Sequence, residues 1–283
     1  MAKNRKNKVG LMQGRLTPSE ARGIQFFPFE NWKNEFKDAR NIGFDEIEFI
    51  FDDEKYMDNP LWTKKGQNEI NAIILSSGIK VKSICADYFM RKPLFGSNKK
   101  KIEESVIILK KLISAARRIE ADLIEIPLVD NSSLKSGQDR EVFVGTVSRC
   151  VAQAKKFNVT LGLETDLPPE KLIELLRKIS STQVKANYDT GNSASMGYNP
   201  KEEIFLLKDY IYNIHIKDRK YRGGTVPLGE GDTDFDKVFE SLNKINYRHG
   251  FILQAARGPD GNEFEMVGKQ LKLLNRYINK YLN

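Results

Sequence analysis

Residues 160–189 carry one complete strand–helix–strand repeat, and they read TLGLETDLPPEKLIELLRKISSTQVKANYD. The two ends, Thr160–Glu164 and Lys185–Asp189, are short apolar or β-branched runs that are typical of parallel strands. Between them, Pro168 and Pro169 open a helical segment, where proline is accepted because a first-turn N–H has no helical partner. The apolar residues of that segment recur at helical spacing, at Leu172, Leu175, Leu176 and Ile179. The stretch therefore predicts a β–α–β unit with parallel strands.

The same alternation continues on both sides of this unit. Eight strand candidates share short apolar runs, and they are Val9–Met12, Glu46–Ile50, Val81–Cys85, Leu123–Pro127, Thr160–Glu164, Lys185–Asp189, Asn213–Lys217 and Phe251–Ala255. Eight regular repeats favour a closed barrel over an open doubly wound sheet. No Gly-x-Gly-x-x-Gly motif follows a strand, so a dinucleotide-binding fold has no support. We expect an α/β protein, a single (β/α)8 TIM barrel that forms one domain over residues 1–283.

Composition narrows the class of protein. The two cysteines, Cys85 and Cys150, lie far apart in apolar segments, which favours a reducing compartment over a disulfide framework. Only a short apolar stretch follows the basic start, and no run of about 18 apolar residues occurs, so we expect a soluble, cytoplasmic protein with no membrane partner. The net charge of +8 indicates either an acidic partner, such as a phosphorylated metabolite or nucleic acid, or simply lysines scattered over the surface, which is the favoured interpretation. Because no basic stripe carries interleaved aromatic residues, we expect no nucleic-acid partner.

Four consecutive predicted strands carry metal-binding side chains near their ends: Glu164, Asp189, His215 and Gln254. The separations are 25 (189 − 164), 26 (215 − 189) and 39 (254 − 215) residues, so the first two match one repeat each and the third adds a long loop, Arg219–Asp232. Because the carboxyl ends of barrel strands meet at one rim, we expect these side chains to lie together. Two carboxylates, an imidazole and an amide oxygen suit Mn²⁺ best, with Mg²⁺ or Co²⁺ as alternatives.

Other polar residues follow strand ends and could contact a substrate. These candidates are Gln13, Arg15, Glu48, Arg222 and Arg257. An arginine fork matches phosphate or carboxylate, which suits a sugar phosphate. Arg15 and Arg257 could equally form salt bridges at the rim, and for Arg222 a salt bridge is the favoured alternative.

Several motifs resemble a known family. They are Gly162-Leu163-Glu164, Asp189-Thr190-Gly191-Asn192, His215-Ile216-Lys217-Asp218, Leu228-Gly229-Glu230-Gly231-Asp232-Thr233-Asp234-Phe235 and, more loosely, Gly43-Phe44-Asp45-Glu46-Ile47-Glu48. In order and spacing this set resembles the xylose isomerase-like barrels. It is most similar to the sugar phosphate isomerases and epimerases, which include L-xylulose-5-phosphate or L-ribulose-5-phosphate 3-epimerase and tagatose epimerase.

The resemblance implies a role for each matching residue. In that family a Glu, an Asp, a His and a second Glu bind one divalent metal, and the two glutamates move a proton on opposite faces of a cis-enediolate. It therefore implies a metal-dependent sugar isomerase or epimerase of carbohydrate metabolism, with Glu164 as ligand and base. Relatives are often dimers or tetramers, so a homo-oligomer is possible.

This chain departs from the family pattern at Gln254, where the second Glu is expected. An amide oxygen can bind a metal, but an amide cannot accept the proton at neutral pH. Three alternatives follow: Glu164 acts alone as the base of an isomerase; Lys217, Glu48 or a metal-bound water supplies the second proton; or the barrel binds a sugar without converting it.

Two rival enzyme classes share the superfamily. A lyase such as an inosose dehydratase begins with related proton abstraction and stays open. A nucleic-acid repair enzyme resembling endonuclease IV needs a histidine-rich cluster of several metals. The chain has only two histidines, and His249 precedes the last strand, so only His215 is expected at the working rim.

Overall fold

The computed structural model describes residues 7–20 and 22–283, and its main strands form a closed parallel barrel. The barrel strands are β1 (Val9–Met12), β2 (Glu46–Ile50), β3 (Lys80–Cys85), β4 (Leu123–Leu128), β5 (Thr160–Thr165), β6 (Val184–Asp189), β7 (Ile211–Ile216) and β10 (Phe251–Leu253). Around the barrel their order is β1-β10-β7-β6-β5-β4-β3-β2. The predicted (β/α)8 TIM barrel is confirmed. The first six residues of the basic start lie outside the described residues.

Helices follow the barrel strands. They are α1 (Trp32–Ile42), α2 (Lys64–Ser77), α3 (Tyr88–Arg91), α4 (Lys99–Arg118), α5 (Gly137–Phe157), α6 (Pro169–Ile179), α7 (Thr190–Met196), α8 (Pro200–Leu207), α9 (Phe235–Lys244) and α10 (Glu263–Tyr281), with short 3₁₀ turns at Tyr56–Asp58, Pro60–Trp62 and Asp130–Ser132. Within the described ranges, none of these helices combines the length and the apolar character that a membrane span needs.

All eight predicted strands are present, with ends shifted by at most two residues. β7 ends at Ile216 and β10 ends at Leu253, so Lys217 and Gln254 each lie one residue beyond a strand. The predicted loop Arg219–Asp232 is not wholly irregular, because β8 (Asp218–Arg219) pairs with β9 (Thr225–Val226) as a small antiparallel hairpin. The pattern gave no sign of this hairpin, since two-residue strands are too short to show alternation.

The barrel core follows from the apolar runs. Every residue of β1, β4 and β10 is buried, as expected for strands covered on both faces. In α4 the apolar residues that recur at helical spacing are all buried: Ile102, Val106, Leu109, Leu112, Ile113 and Ala116. In α5, Phe143 is fully buried, whereas Val142 and Val151 are only half-buried. An aromatic side chain buries more apolar area than valine, so it determines which face turns inward.

Contacts group the chain into two compact units. The first comprises the residues up to Glu48, 77–80 and 188–283, and the second comprises 49–76 and 81–187. In the first, β1 pairs with β10 and β10 with β7; in the second, β3 pairs with β4, β4 with β5, and β5 with β6.

Candidate metal and proton-transfer site

The structure brings together Glu164, Asp189 and His215. One possible ligand atom from each residue lies within 4.8 Å of the others, and all three side chains are buried. The grouping follows from the barrel: Glu164 lies near the end of β5, Asp189 ends β6, and His215 is the penultimate residue of β7.

Glu164 is held by its neighbour on the next strand. Asn187 Nδ2 donates a hydrogen bond of 3.0 Å to Glu164 Oε2, so one carboxylate oxygen has a fixed direction. Gly162, two residues earlier, packs against β4, where a Cβ would lie 2.8 Å from Cδ1 of Leu123. These contacts place the Glu164 carboxylate in one orientation.

Asp189 has two functions in the structure. Its Oδ1 accepts a 2.7 Å hydrogen bond from the backbone N–H of Asn192, so the side chain caps the N-terminus of α7. Its Oδ2 lies 3.4 Å from Nζ of Lys217. Gly191 permits this approach, since a Cβ there would lie 2.8 Å from Cγ of Lys217. The Asp189–Asn192 motif therefore both caps a helix and places a carboxylate beside an ammonium group.

His215 lies against a second buried carboxylate. Its Nε2 is 2.8 Å from Oε1 of Glu48, and both side chains are fully buried. Within the described part of the chain, neither oxygen of Glu48 meets the geometry of a hydrogen bond. Histidines that bind metals usually have a carboxylate beyond the ring, which orients the imidazole. Glu48 lies beside the His215 ring, although this pair does not meet the geometry of a hydrogen bond.

The donor set fits a divalent cation. Carboxylate oxygens and an imidazole nitrogen are suitable ligands for Mn²⁺, Mg²⁺ or Co²⁺. The carboxyl groups of Glu48, Glu164 and Asp189 are all buried, and the Lys217 ammonium lies beside Asp189. Buried negative charge is costly unless it is balanced, and a divalent ion would balance it here.

The structure gives Gln254 two partners. Its Oε1 accepts a 3.2 Å hydrogen bond from Nζ of Lys217, and its Nε2 donates a 3.0 Å hydrogen bond to Oε1 of Gln25. The oxygen that the sequence assigns to a metal therefore faces an ammonium group in this conformation. Metal binding by Gln254 stays a prediction.

The two remaining family motifs pack against each other. Asp218 is buried and accepts backbone hydrogen bonds from Gly229 (2.9 Å), Gly231 (2.9 Å) and Thr233 (3.1 Å). A Cβ on Gly231 would overlap Oδ1 of Asp218, which explains the glycine. The motif Leu228–Phe235 thus wraps around the carboxylate of Asp218 and holds the segment that follows β7. Its role in this structure is positioning.

The three arginines that the sequence predicts as substrate contacts differ in their hydrogen bonds. Arg15 and Arg257 donate mainly to backbone carbonyls. Arg15 donates to Ala255 (3.0 Å) and Ile24 (2.6 Å), and Arg257 donates to Ile24 (2.8 Å), Thr17 (2.8 Å) and Gly14 (2.6 Å). Arg222 is exposed beside the ring of Tyr221, and its guanidinium makes no hydrogen bond to the described residues. Gln13 and Glu48 are buried. Contact of any of them with substrate stays a prediction.

Glu35 also holds the segment after β1, and sequence reasoning did not identify it. Its carboxylate accepts hydrogen bonds from Gly14 N (2.8 Å), Leu16 N (3.0 Å) and Thr17 Oγ1 (2.9 Å). Burial raises the pKa of Glu35 from 4.5 to about 7, although these hydrogen bonds and the charge of Arg257 oppose the shift. This carboxyl therefore titrates near neutral pH within the folded protein.

The Glu35 shift predicts a pH-dependent stability. Between about pH 4.5 and 7 the folded state keeps a proton that the unfolded state has released, so the free energy of unfolding falls as pH rises. The loss is at most about 3 kcal/mol for a shift of this size. Urea unfolding at pH 5, 6 and 7 should show this fall in the native protein and a flatter profile in Glu35→Gln. Glu170→Gln, at an exposed position, should keep the native slope; equal slopes in all three proteins would contradict the prediction.

Sequence reasoning missed further polar residues of the barrel. Gln25 and Asn187 were not identified, although they contact predicted site residues. A second group of possible ligand atoms, from Glu48, Cys85 and Glu125, also lies within 4.8 Å of one another. The available signal was Glu125 itself, a single carboxylate inside the apolar run Leu123–Leu128.

Comparison with known proteins agrees with the fold. A family model described as a xylose isomerase-like TIM barrel matches residues 36–277. The putative L-ribulose-5-phosphate 3-epimerase SgbU of Haemophilus influenzae is 30% identical over 238 residues, covering 79% of this chain and 83% of the relative. L-ribulose-5-phosphate 3-epimerase UlaE of Escherichia coli is 24% identical over 241 residues, covering 80% and 82%.

Solved structures show the same architecture. D-psicose 3-epimerase with D-tagatose, from Clostridium cellulolyticum H10, aligns with a TM-score of 0.74 at 15% identity, covering 98% of this chain and 99% of that one. At this identity the likeness shows the fold alone. The family model, by contrast, spans most of the sequence and agrees with the resemblance carried by the strand-end motifs. The chain belongs to the xylose isomerase-like TIM barrel family.

Proposed function

We propose that this chain is a divalent-metal-dependent isomerase or epimerase of a sugar or sugar phosphate, acting through a cis-enediolate with Glu164 as base. The observation that carries the proposal is the buried grouping of Glu164, Asp189 and His215. The relatives named L-ribulose-5-phosphate 3-epimerase support sugar phosphate chemistry.

The proposed metal ligands are Glu164, Asp189 and His215. The sequence also predicts Gln254 as a ligand, and in this structure the oxygen of Gln254 accepts a hydrogen bond from Lys217. Mn²⁺ is the first choice, and Mg²⁺ or Co²⁺ are alternatives. A divalent cation at this position would polarise the substrate carbonyl and stabilise the negative charge that follows proton loss. Glu48, in contact with His215, would keep the imidazole oriented.

The residues divide the proton transfer between them. Glu164 removes the proton from the carbon next to the carbonyl and becomes a carboxylic acid. Epimerisation returns a proton to the opposite face, which requires a second group. Gln254 has no proton to give at a useful pKa, but its oxygen accepts a hydrogen bond from the Lys217 ammonium. Lys217 is therefore the proposed second group: its ammonium gives one proton and becomes an amine. Before the next turnover the Glu164 carboxylic acid releases its proton to solvent and the Lys217 amine takes one up, so both groups return to their starting states.

Because two relatives are named L-ribulose-5-phosphate 3-epimerase, L-ribulose 5-phosphate is the first sugar to test. Arg222, with an exposed guanidinium, is the proposed phosphate contact, while Gln13, Arg15, Glu48 and Arg257 complete the predicted substrate set. The proposal places a single-domain barrel, able to form a homo-oligomer, in cytoplasmic carbohydrate metabolism.

Deuterium exchange tests the function. The protein is incubated with L-ribulose 5-phosphate, then with other ketopentose 5-phosphates and ketohexose 6-phosphates, in deuterated water containing Mn²⁺. NMR should show deuterium on the carbon next to the carbonyl together with an epimer or aldose product. Chelation should stop the exchange, and added Mn²⁺ should restore it. Loss of water from the sugar would indicate a lyase, and binding without exchange would indicate a sugar-binding barrel; either result would overturn the proposal.

A further inference from the structure

Four side chains form a continuous hydrogen-bonded row beside the proposed site. Lys217 Nζ donates to Gln254 Oε1 (3.2 Å), Gln254 Nε2 donates to Gln25 Oε1 (3.0 Å), and Arg15 Nη2 donates to the same Gln25 oxygen (3.2 Å). Arg15 and Gln254 are buried, Gln25 is half-buried, and the side chain of Lys217 is 14% exposed. The row links a candidate proton-transfer residue to the segment after β1.

The residues at the two ends of the row, Lys217 and Arg15, determine the direction of every hydrogen bond in it. Lysine and arginine side chains only donate hydrogen bonds. Arg15 must therefore face an oxygen of Gln25, and because Gln254 meets that same oxygen, Gln254 must present its NH₂ group there. The other end of the Gln254 amide is then its oxygen, which is what the Lys217 ammonium requires. The network alone thus assigns both amide orientations.

A carboxylate at position 254 would not fit this row. Its oxygen would face the Gln25 oxygen, and two acceptors at hydrogen-bonding distance repel each other. Turning the Gln25 amide over would present its NH₂ group to Arg15, which is also a donor. Arg15 cannot easily move away, since it also donates to the carbonyls of Ala255 (3.0 Å) and Ile24 (2.6 Å). The surroundings of position 254 are therefore matched to a neutral amide.

We propose that Gln25 is a positioning residue, which orients the Gln254 amide so that its oxygen is reserved for the ammonium group of Lys217. Gln254 then serves as the hydrogen-bond acceptor for Lys217, and the metal is held by Glu164, Asp189 and His215 without it. The inference rests on the proposed function for its catalytic consequence. The proposed orientation of the Gln254 amide can be tested whether or not the protein is an enzyme.

Two substitutions at the same position separate this role from simple packing. Gln25→Glu keeps an oxygen that can accept from both Arg15 and Gln254, so the row survives. Gln25→Met has a similar length but no acceptor, so the Gln254 amide loses its constraint. With the sugar phosphate identified by exchange, Gln25→Glu should keep kcat within about threefold, and Gln25→Met should lose about 10- to 100-fold in kcat with little change in KM. Equal kcat values for the two variants would overturn the inference.

Two further measurements do not use turnover. Calorimetric Mn²⁺ titration should give both variants an affinity within about threefold of the native protein, whereas a loss near the 10- to 100-fold expected for a disturbed metal site would show that the Gln254 oxygen is itself a ligand. The side-chain amide signal of Gln254 in ¹H–¹⁵N NMR, assigned with Gln254→Met, should stay near its native position in Gln25→Glu and move in Gln25→Met.

If the native protein shows no deuterium exchange into the sugar while the amide signals behave as expected, the proposed function fails and the positioning role stands. If the signal is unchanged in Gln25→Met, the positioning role fails.

Discussion

Replacing Glu164 with glutamine should reduce deuterium exchange into the substrate by about 10²- to 10⁴-fold, the range that a positioned general base contributes. Glutamine has the same shape and keeps an oxygen for Asn187 Nδ2, which lies 3.0 Å from Glu164 Oε2 in the native protein, but it cannot accept the substrate proton. The exchange rate is measured by NMR at Mn²⁺ concentrations that saturate each protein. The loss then reports the missing base rather than a missing metal.

The control for this experiment lies just after the same strand. Glu170 is exposed in the first turn of α6, so Glu170→Gln changes the charge by the same amount without touching the site. It should exchange deuterium at the native rate. Near-native exchange by metal-saturated Glu164→Gln would show that another group removes the proton, and Glu164 would then be a ligand at most.

Replacing Asp189 with asparagine should weaken Mn²⁺ binding by at least the roughly 10- to 100-fold that even an outer-shell change costs. The substitution removes one ligand charge and leaves a neutral amide beside Lys217, whose Nζ lies 3.4 Å from Asp189 Oδ2. The fold should survive, because asparagine is as good an N-cap as aspartate and can still accept from the Asn192 backbone. Calorimetric titration without substrate gives the dissociation constant directly.

Asp234 provides the matched control. It caps α9 as Asp189 caps α7, and its side chain accepts a 2.9 Å hydrogen bond from the backbone of Lys237. Asp234→Asn therefore tests the same change at a helix start outside the proposed site, and its Mn²⁺ affinity should equal the native value. If Asp189→Asn also binds Mn²⁺ with native affinity, the grouping of Glu164, Asp189 and His215 is not the metal site.

Local pattern was enough to predict the barrel and the meeting of its strand ends. Parallel strands are covered on both faces, so each one leaves a short apolar run that can be recognised without knowing its neighbours. The grouping of Glu164, Asp189 and His215 could be anticipated for the same reason, since a residue near the end of each successive strand must approach a common rim. Neither inference needs contacts between distant parts of the chain beyond those that the barrel imposes.

Contacts across long sequence separations could not be predicted in this way. Gln25 and Gln254 are 229 positions apart, and Arg15 is 240 positions from the carbonyl of Ala255 that it binds. No periodicity relates such residues, so the hydrogen bonds of Gln254 to Lys217 and Gln25 could not be predicted. Glu35 was missed for a related reason: an acidic residue in the first turn of a helix usually interacts with solvent and the helix dipole.

The eight apolar runs and the polar residues near their ends were enough to specify a barrel and a rim where charges converge, because burial and alternation act over a few neighbouring residues. The hydrogen-bonding partners of those polar groups depend on loops from opposite ends of the chain folding against each other. The raised pKa of Glu35 and the orientation of the Gln254 amide are consequences of that packing. They arise from which donors and acceptors share a buried space, a property that exists only once the chain has closed into the barrel.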